Sequence, residues 1–239
     1  MIIEAAGFSH TGTRRAKNED AVLMHDQIYN SGFFEFEGEN HARIFVADGV
    51  GGAPAGDIAA HYVLSQLNQR IPPASYPQKT DLEQTLISIN NDLCEYGKSN
   101  LHTHSMATTL SGILVNDHQY RIVNAGDSRV MILRGKNLEQ LTTDDIMDVH
   151  AMYRPLTNYF GGPVPLVKPA IIDSDEDLKT DTLFFISSDG IFHCFSTNQL
   201  GKILANSSSL ATKAKSIRDE ALATGSPDNI SCVLLKISF

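Results

Sequence analysis

Two uninterrupted apolar runs constrain this chain most. Arg43-Ile44-Phe45-Val46-Ala47 leads directly into Asp48-Gly49, and Thr182-Leu183-Phe184-Phe185-Ile186 leads through Ser187-Ser188 into Asp189-Gly190. Runs without polar alternation predict buried strands, which need cover above and below their sheet. A carboxylate at the mouth of such a strand is held rigidly, and the glycine after it allows backbone or ligand to approach closely. Two further acidic motifs, Arg15-Ala16-Lys17-Asn18-Glu19-Asp20 and Pro227-Asp228-Asn229, flank other expected strands. Converging carboxylates repel one another unless cations lie between them. No His or Cys stands inside these motifs, so the donors suit hard divalent ions, Mg²⁺ or Mn²⁺, rather than Zn²⁺.

The remaining pattern is strands in groups, each followed by helix. Strands are expected at residues 2–9, 21–25 and 42–47, then helices at 56–70 and 80–97. The first helix carries Ala59, Tyr62, Val63 and Leu67 on one face, and the second carries Leu82, Leu86, Ile89, Leu93 and Tyr96. Thr80 with Glu83 reads as a capping box and Gly97 as a stop. A β-meander follows at 108–115, 119–125, 129–133 and 138–141, with turn chemistry between its strands. Residues 142–168 read as irregular, with room for one short helix. Beyond them come a buried strand at 182–187, helices at 197–205 and 210–223, and a closing strand at 230–237. This order predicts an α+β fold, two antiparallel sheets face to face and flanked by helices in an α-β-β-α sandwich. No composition break or repeat divides residues 1–239, so a single domain is expected.

Bulk properties exclude several classes of partner. A net charge of −9 over 239 residues argues against nucleic acid or an anionic membrane surface. Cys94, Cys194 and Cys232 have no metal-ligand spacing, and an odd count without a disulfide pattern fits a reducing compartment. Cys194 and Cys232 lie among apolar residues and read as buried small hydrophobes. The N-terminus lacks the basic start of a signal peptide, and no run reaches membrane-spanning length. A cytoplasmic monomer is the expectation.

Other motif matches fail on a residue each. Gly49-Val50-Gly51-Gly52-Ala53-Pro54 starts like a dinucleotide loop but has Pro54 at the third glycine. Asp173-Ser174-Asp175-Glu176-Asp177 starts like a calcium loop but has Leu178 at the required glycine, and reads as a solvated acidic turn. His102 and His104 form no metalloprotease motif, and Ser187-Ser188 lack the glycines of a nucleophile elbow.

Taken in order, the acidic motifs together with Ala107-Thr108-Thr109 and Gly126-Asp127-Ser128-Arg129 resemble the metal-dependent Ser/Thr protein phosphatases, the protein phosphatase 2C family. The resemblance spans nearly the whole chain. It implies that Asp48 bridges two Mg²⁺ or Mn²⁺ ions, with the Gly49 carbonyl as a further ligand. Asp189 and Asp228 would complete one metal, Glu19 would serve the other, and Asp20 would orient its waters. Asn229 would support the site from behind, and Arg15, rather than Arg14, would grip the substrate phosphate. The ions would acidify a water for in-line attack, with no covalent phosphoenzyme. The implied partner is a phosphorylated protein, a Ser/Thr kinase or one of its targets.

Three departures from the family pattern matter. Animal members carry His after the Asp-Gly pair, where this chain has Val50, as the bacterial branch does. The stretch between Leu141-Thr142 and Gly161-Gly162 is short for the family's flap. Many members hold a third, weaker metal between the Asp of Gly-Asp-Ser, here Asp127, and an Asp that is here His193. Imidazole there predicts a weak or Mn²⁺-selective third site. Two alternatives stay open from sequence: a pseudophosphatase that only binds phosphoproteins, and a hydrolase of small phosphate esters.

Overall fold

The computed structural model describes residues 1–50, 53, 55–99, 101–147, 155–163, 167–174 and 178–239. Strands β1 (Ile2–His10), β2 (Asp20–Met24), β3 (Gln27–Tyr29), β4 (Gly32–Glu39) and β5 (His41–Asp48) precede helices α1 (Gly56–Arg70) and α2 (Lys79–Lys98). The middle holds β6 (Ala107–Thr108), β7 (Leu110–Asn116), β8 (Gln119–Ala125), β9 (Arg129–Arg134) and β10 (Asn137–Gln140). After them come β11 (Phe160–Gly161), β12 (Ala170–Asp173), β13 (Thr182–Ser187), α3 (Gly190–Cys194), α4 (Thr197–Leu204), α5 (Leu210–Ala223) and β14 (Ile230–Ser238).

Two six-stranded sheets result, ordered β10-β9-β13-β14-β1-β4 and β12-β8-β7-β5-β2-β3. The apolar runs explain why they stack. In β5, Ile44 and Val46 enter the layer between the sheets while Phe45 and Ala47 face the helices α1 and α2. In β13, Phe184 and Ile186 point inward to the same layer, and Leu183 and Phe185 meet α4 and α5. A strand with apolar residues on both faces is stable only between two covered layers. The α-β-β-α sandwich expected from the sequence is the arrangement found.

Several local expectations are corrected. The run from β7 to β10 is not one meander: β8 belongs to one sheet and β9 to the other, so residues 126–128 cross between sheets. β3, β4 and β12 went unread; β4 has Phe34 and Phe36 alternating with Glu35 and Glu37, an edge-strand pattern. No helix occurs among the described residues of 142–168, where β11 instead pairs with β6. Residues 148–154, within the expected flap, and 164–166 beyond it lie outside the described residues. So do Gly51, Gly52 and Pro54, and 175–177 of the acidic turn. α2 begins at Lys79 after Gln78, without a side-chain cap, so Thr80 and Glu83 form no box. A capping box does form at Ser196 and Gln199 of α4. Cys94 and Cys232 are buried, whereas Cys194 is only half-buried, and all are free thiols. No described helix is long and apolar enough to cross a membrane.

Arg43, fully buried on the helix side of β5, closes a gap between layers. Its guanidinium donates to the carbonyls of His25 and Ile71 and to Asn68 Oδ1. Burial pushes its pKa down to about 10. Arg43→Ala leaves these acceptors without donors and opens a cavity, a loss of about 3 kcal/mol. Calorimetry should show a Tm lowered by about 10 °C; an unchanged Tm would mean that water replaces the guanidinium at no cost.

Candidate active site

The acidic motifs meet because the sheets bring distant strand ends to one edge of the sandwich. Asp20 opens β2 and Asp48 closes β5, and the antiparallel register sets them directly opposite each other. Like charges facing across a strand pair are destabilising. The backbone around Asp48 is nevertheless held firmly. Its carbonyl accepts from the Thr109 amide at 2.8 Å and from Thr108 Oγ1 at 2.9 Å, while its own amide donates to Thr109 Oγ1 at 3.0 Å. A Cβ on Gly49 would lie 2.5 Å from the backbone of Gly56, so only glycine lets α1 start this close to β5.

The other half of the site hangs from β13 and β14. Asp189 stands at the N-cap position of α3 with its side chain free of a capping hydrogen bond, and a Cβ on Gly190 would sit 1.9 Å from the Asn229 carbonyl, which explains the glycine there. Asp228 occupies the turn before β14, where its Oδ1 accepts from the Asn229 amide at 2.8 Å. Asn229 ties the N-terminal motif into place: Oδ1 accepts from the Glu19 amide, and Nδ2 donates to the carbonyls of Thr11 and Lys17, each at 2.9 Å. Asp127 arrives on the crossing between sheets.

Arg15, Glu19, Asp48, Gly49, Asp127, Asp189, Asp228 and Asn229 line one cleft of about 500 Å³. Val50 and His193 line it too, and Arg14 does not. Asp20 lies behind it, 1% exposed, with Oδ2 accepting from Ser188 Oγ at 2.8 Å and Oδ1 lacking any donor. A larger cavity of about 750 Å³ on the outer face of the β1 sheet contains none of these motifs.

Burial and mutual repulsion raise the carboxylates' proton affinity. Burial, then the charges of Asp20, Asp189, Asp127 and Asp228, hold Asp48 well above the usual carboxylate range. Asp20 is pushed up to about 7 by burial, with the Ser188 hydroxyl opposing the shift. Burial, then the neighbouring Asp189, pushes Asp127 up to about 7. Asp189 is raised by burial although His193 opposes the shift, and Glu19 is raised by burial and by Asp57. A cluster that must hold protons when alone is one that divalent cations can neutralise instead. Its oxygen donors, with a buried acceptor left unpaired at Asp20, fit Mg²⁺ or Mn²⁺ chemistry.

Two placements bear on the roles expected from the motifs. Arg15 does not stand free: Nη2 donates to Asp228 Oδ2 at 2.6 Å. With Asn229 on Oδ1, both oxygens of Asp228 are engaged. His193 sits near Asp189 and Asp228, with one donor atom from each of the three within 4.8 Å of the others, and Asp127 is not in that group. Sequence reading also missed part of the cleft wall. Arg129 grips Asp144 through Nε at 3.0 Å and Nη2 at 2.6 Å while its guanidinium lies 4.2 Å over the Phe192 ring. The signal was available, since Arg129 ends the Gly-Asp-Ser-Arg motif and Asp144-Asp145 is an acidic pair in an otherwise apolar and turn-rich stretch. Asp145 Oδ2 in turn accepts from the Gly126 amide at 3.0 Å, tying that stretch to the crossing that carries Asp127.

The family model described as Protein phosphatase 2C matches residues 23–224. The serine/threonine phosphatase stp of Listeria monocytogenes serotype 4b is 26% identical over 231 residues, covering 90% of this chain and 91% of that protein. The serine/threonine protein phosphatase PstP of Mycobacterium tuberculosis is 24% identical over 99% of this chain and 45% of its own length. Among solved structures, serine/threonine phosphatase Stp1 from Staphylococcus aureus superposes with a TM-score of 0.83 at 24% identity, covering 98% of this chain and 95% of that one.

Proposed function

The chain belongs to the protein phosphatase 2C family and is a metal-dependent protein serine/threonine phosphatase, and from that premise we propose how its own residues divide the work. Asp48, with the Gly49 carbonyl, would be the ligand shared by two divalent cations, Mg²⁺ or Mn²⁺. Asp189 and Asp228 would hold one cation and Glu19 the other, and Asp20 would orient the water around them. Bound cations supply Lewis acidity and lower the pKa of water. Asn229 holds Glu19 and Asp228 in place through its three side-chain hydrogen bonds and its backbone amide. The observation that carries this reading is buried Asp20 facing half-buried Asp48 across β2 and β5, a pair of like charges set directly opposite each other.

Arg15 binds the substrate phosphate. Its planar guanidinium suits two phosphate oxygens, and it reaches the cleft from a half-exposed position that an incoming phosphoprotein can touch. Its present partner, Asp228, is a proposed metal ligand, so metal and Arg15 compete for one carboxylate. Arg15→Ala is therefore expected to raise KM for a phosphothreonine peptide about tenfold or more while Mn²⁺ affinity holds or tightens. Steady-state kinetics with a Mn²⁺ titration decide it: unchanged kcat/KM makes Arg15 a surface ion pair only.

The substrate is a phosphorylated protein, and the activity opposes a Ser/Thr kinase. A pure phosphoprotein binder has no need for Glu19, Asp20, Asp48, Asp189 and Asp228 together. The test is hydrolysis of p-nitrophenyl phosphate, a phosphothreonine peptide and metabolite phosphates, with Mn²⁺, Mg²⁺ or chelator. Turnover by the chelated protein, or preference for metabolites over the peptide, would overturn the reading.

A further inference from the structure

We infer that His193 is a direct ligand of the cation held by Asp189 and Asp228, which makes this a mixed nitrogen–oxygen site selective for Mn²⁺ and other first-row transition ions over Mg²⁺. The inference rests on the two-metal reading above and adds a donor to it. Asp189 stands at the N-cap position of α3 and His193 lies four residues on, so one helical turn stacks both side chains on the face turned to Asp228. One donor atom each of Asp189, His193 and Asp228 fall within 4.8 Å of one another. Donors around one octahedral ion lie about 3 Å apart when adjacent and about 4.2 Å when opposite, at metal–oxygen distances of ~2.1 Å. Side-chain rotation on binding would bring the three donors to that spacing. His193 lines the cleft beside Asp189 and Asp228.

The chemistry of the donor sets the selectivity. Mg²⁺ takes oxygen ligands almost without exception, whereas imidazole suits the transition ions and its preference grows along the series beyond Mn²⁺. A neutral imidazole also brings no charge, so the site gives up electrostatic affinity for every ion and regains it only for ions that favour nitrogen. Ordinary carboxylate sites have no such bias.

The decisive measurement is pulsed EPR of the wild-type protein loaded with Mn²⁺, with and without ¹⁵N-histidine labelling. Modulation from a directly bound histidine nitrogen is expected, and is expected to vanish in His193→Gln. A spectrum of bound Mn²⁺ without nitrogen coupling overturns the inference, and needs no variant to fold. Equilibrium dialysis gives a second reading. His193→Asp should lower the Mn²⁺/Mg²⁺ affinity ratio on the order of tenfold, and an unchanged ratio in a folded variant counts equally against the ligand role. Nitrogen coupling in a protein that hydrolyses no phosphoester would leave the ligand assignment standing and sink the phosphatase reading instead.

Discussion

Asp48→Asn is expected to lower kcat on a phosphothreonine peptide by at least about 10³-fold, since one carboxylate is proposed to serve both cations. The same substitution should raise the melting temperature of the metal-free protein. Asp48 is half-buried, faces Asp20 and is surrounded by Asp189, Asp127 and Asp228, so replacing its carboxylate relieves the repulsion, or the cost of holding a proton, in the metal-free site. Loss of activity with a gain in metal-free stability is the signature of a ligand; a purely structural aspartate would lose both. Assays in saturating Mn²⁺ beside calorimetry in chelator distinguish the two. A wild-type rate in the variant would remove Asp48 from the mechanism.

The second large effect is in stability against pH. Carboxylates whose folded pKa is raised keep protons that the unfolded chain has already released, so stability falls as pH rises. For Asp20 and Asp127 the window runs from their ordinary value of 3.8 to about 7. Metal-free protein should therefore be more stable at pH 5 than at pH 8, by about 3 kcal/mol or more, which is on the order of 5–10 °C in Tm. Saturating Mn²⁺ should abolish or reverse that slope, because cations take the place of protons. At 100 times its dissociation constant each ion adds about 2.7 kcal/mol. Melting curves in chelator and in Mn²⁺ across this range test both statements. A metal-free Tm that rises from pH 5 to pH 8 would mean that the aspartates are already neutralised by other groups.

The layers and the kind of site are written in the order of residues alone. Phe45 beside Ile44 and Val46, and Phe185 beside Phe184 and Ile186, require cover on both faces of a strand, and that requirement implies stacked sheets under helices. The Asp-Gly pairs were equally legible, because a glycine that admits another backbone is a local demand: Gly49 meets Gly56, and Gly190 meets Asn229. Edge strands were harder. β3 and β12 are short and bury little, so their pattern is faint, and the crossing at residues 126–128 leaves no local mark because strand chemistry is the same in either sheet.

Which side chains touch depends on the packing of distant segments. Arg15 meets Asp228 across 213 residues of sequence, and Asn229 reaches Glu19 across 210. Neither contact has a periodicity that a sequence could display. The same holds for Arg129, whose guanidinium between Asp144 and Phe192 depends on where α3 falls against β9. His193 illustrates the division most plainly. Its residue type and its distance of four from Asp189 could be read directly, but its nearness to Asp228 could not. Local spacing places a donor on a helix face, and the packing of β13 beside β14 decides what that face meets.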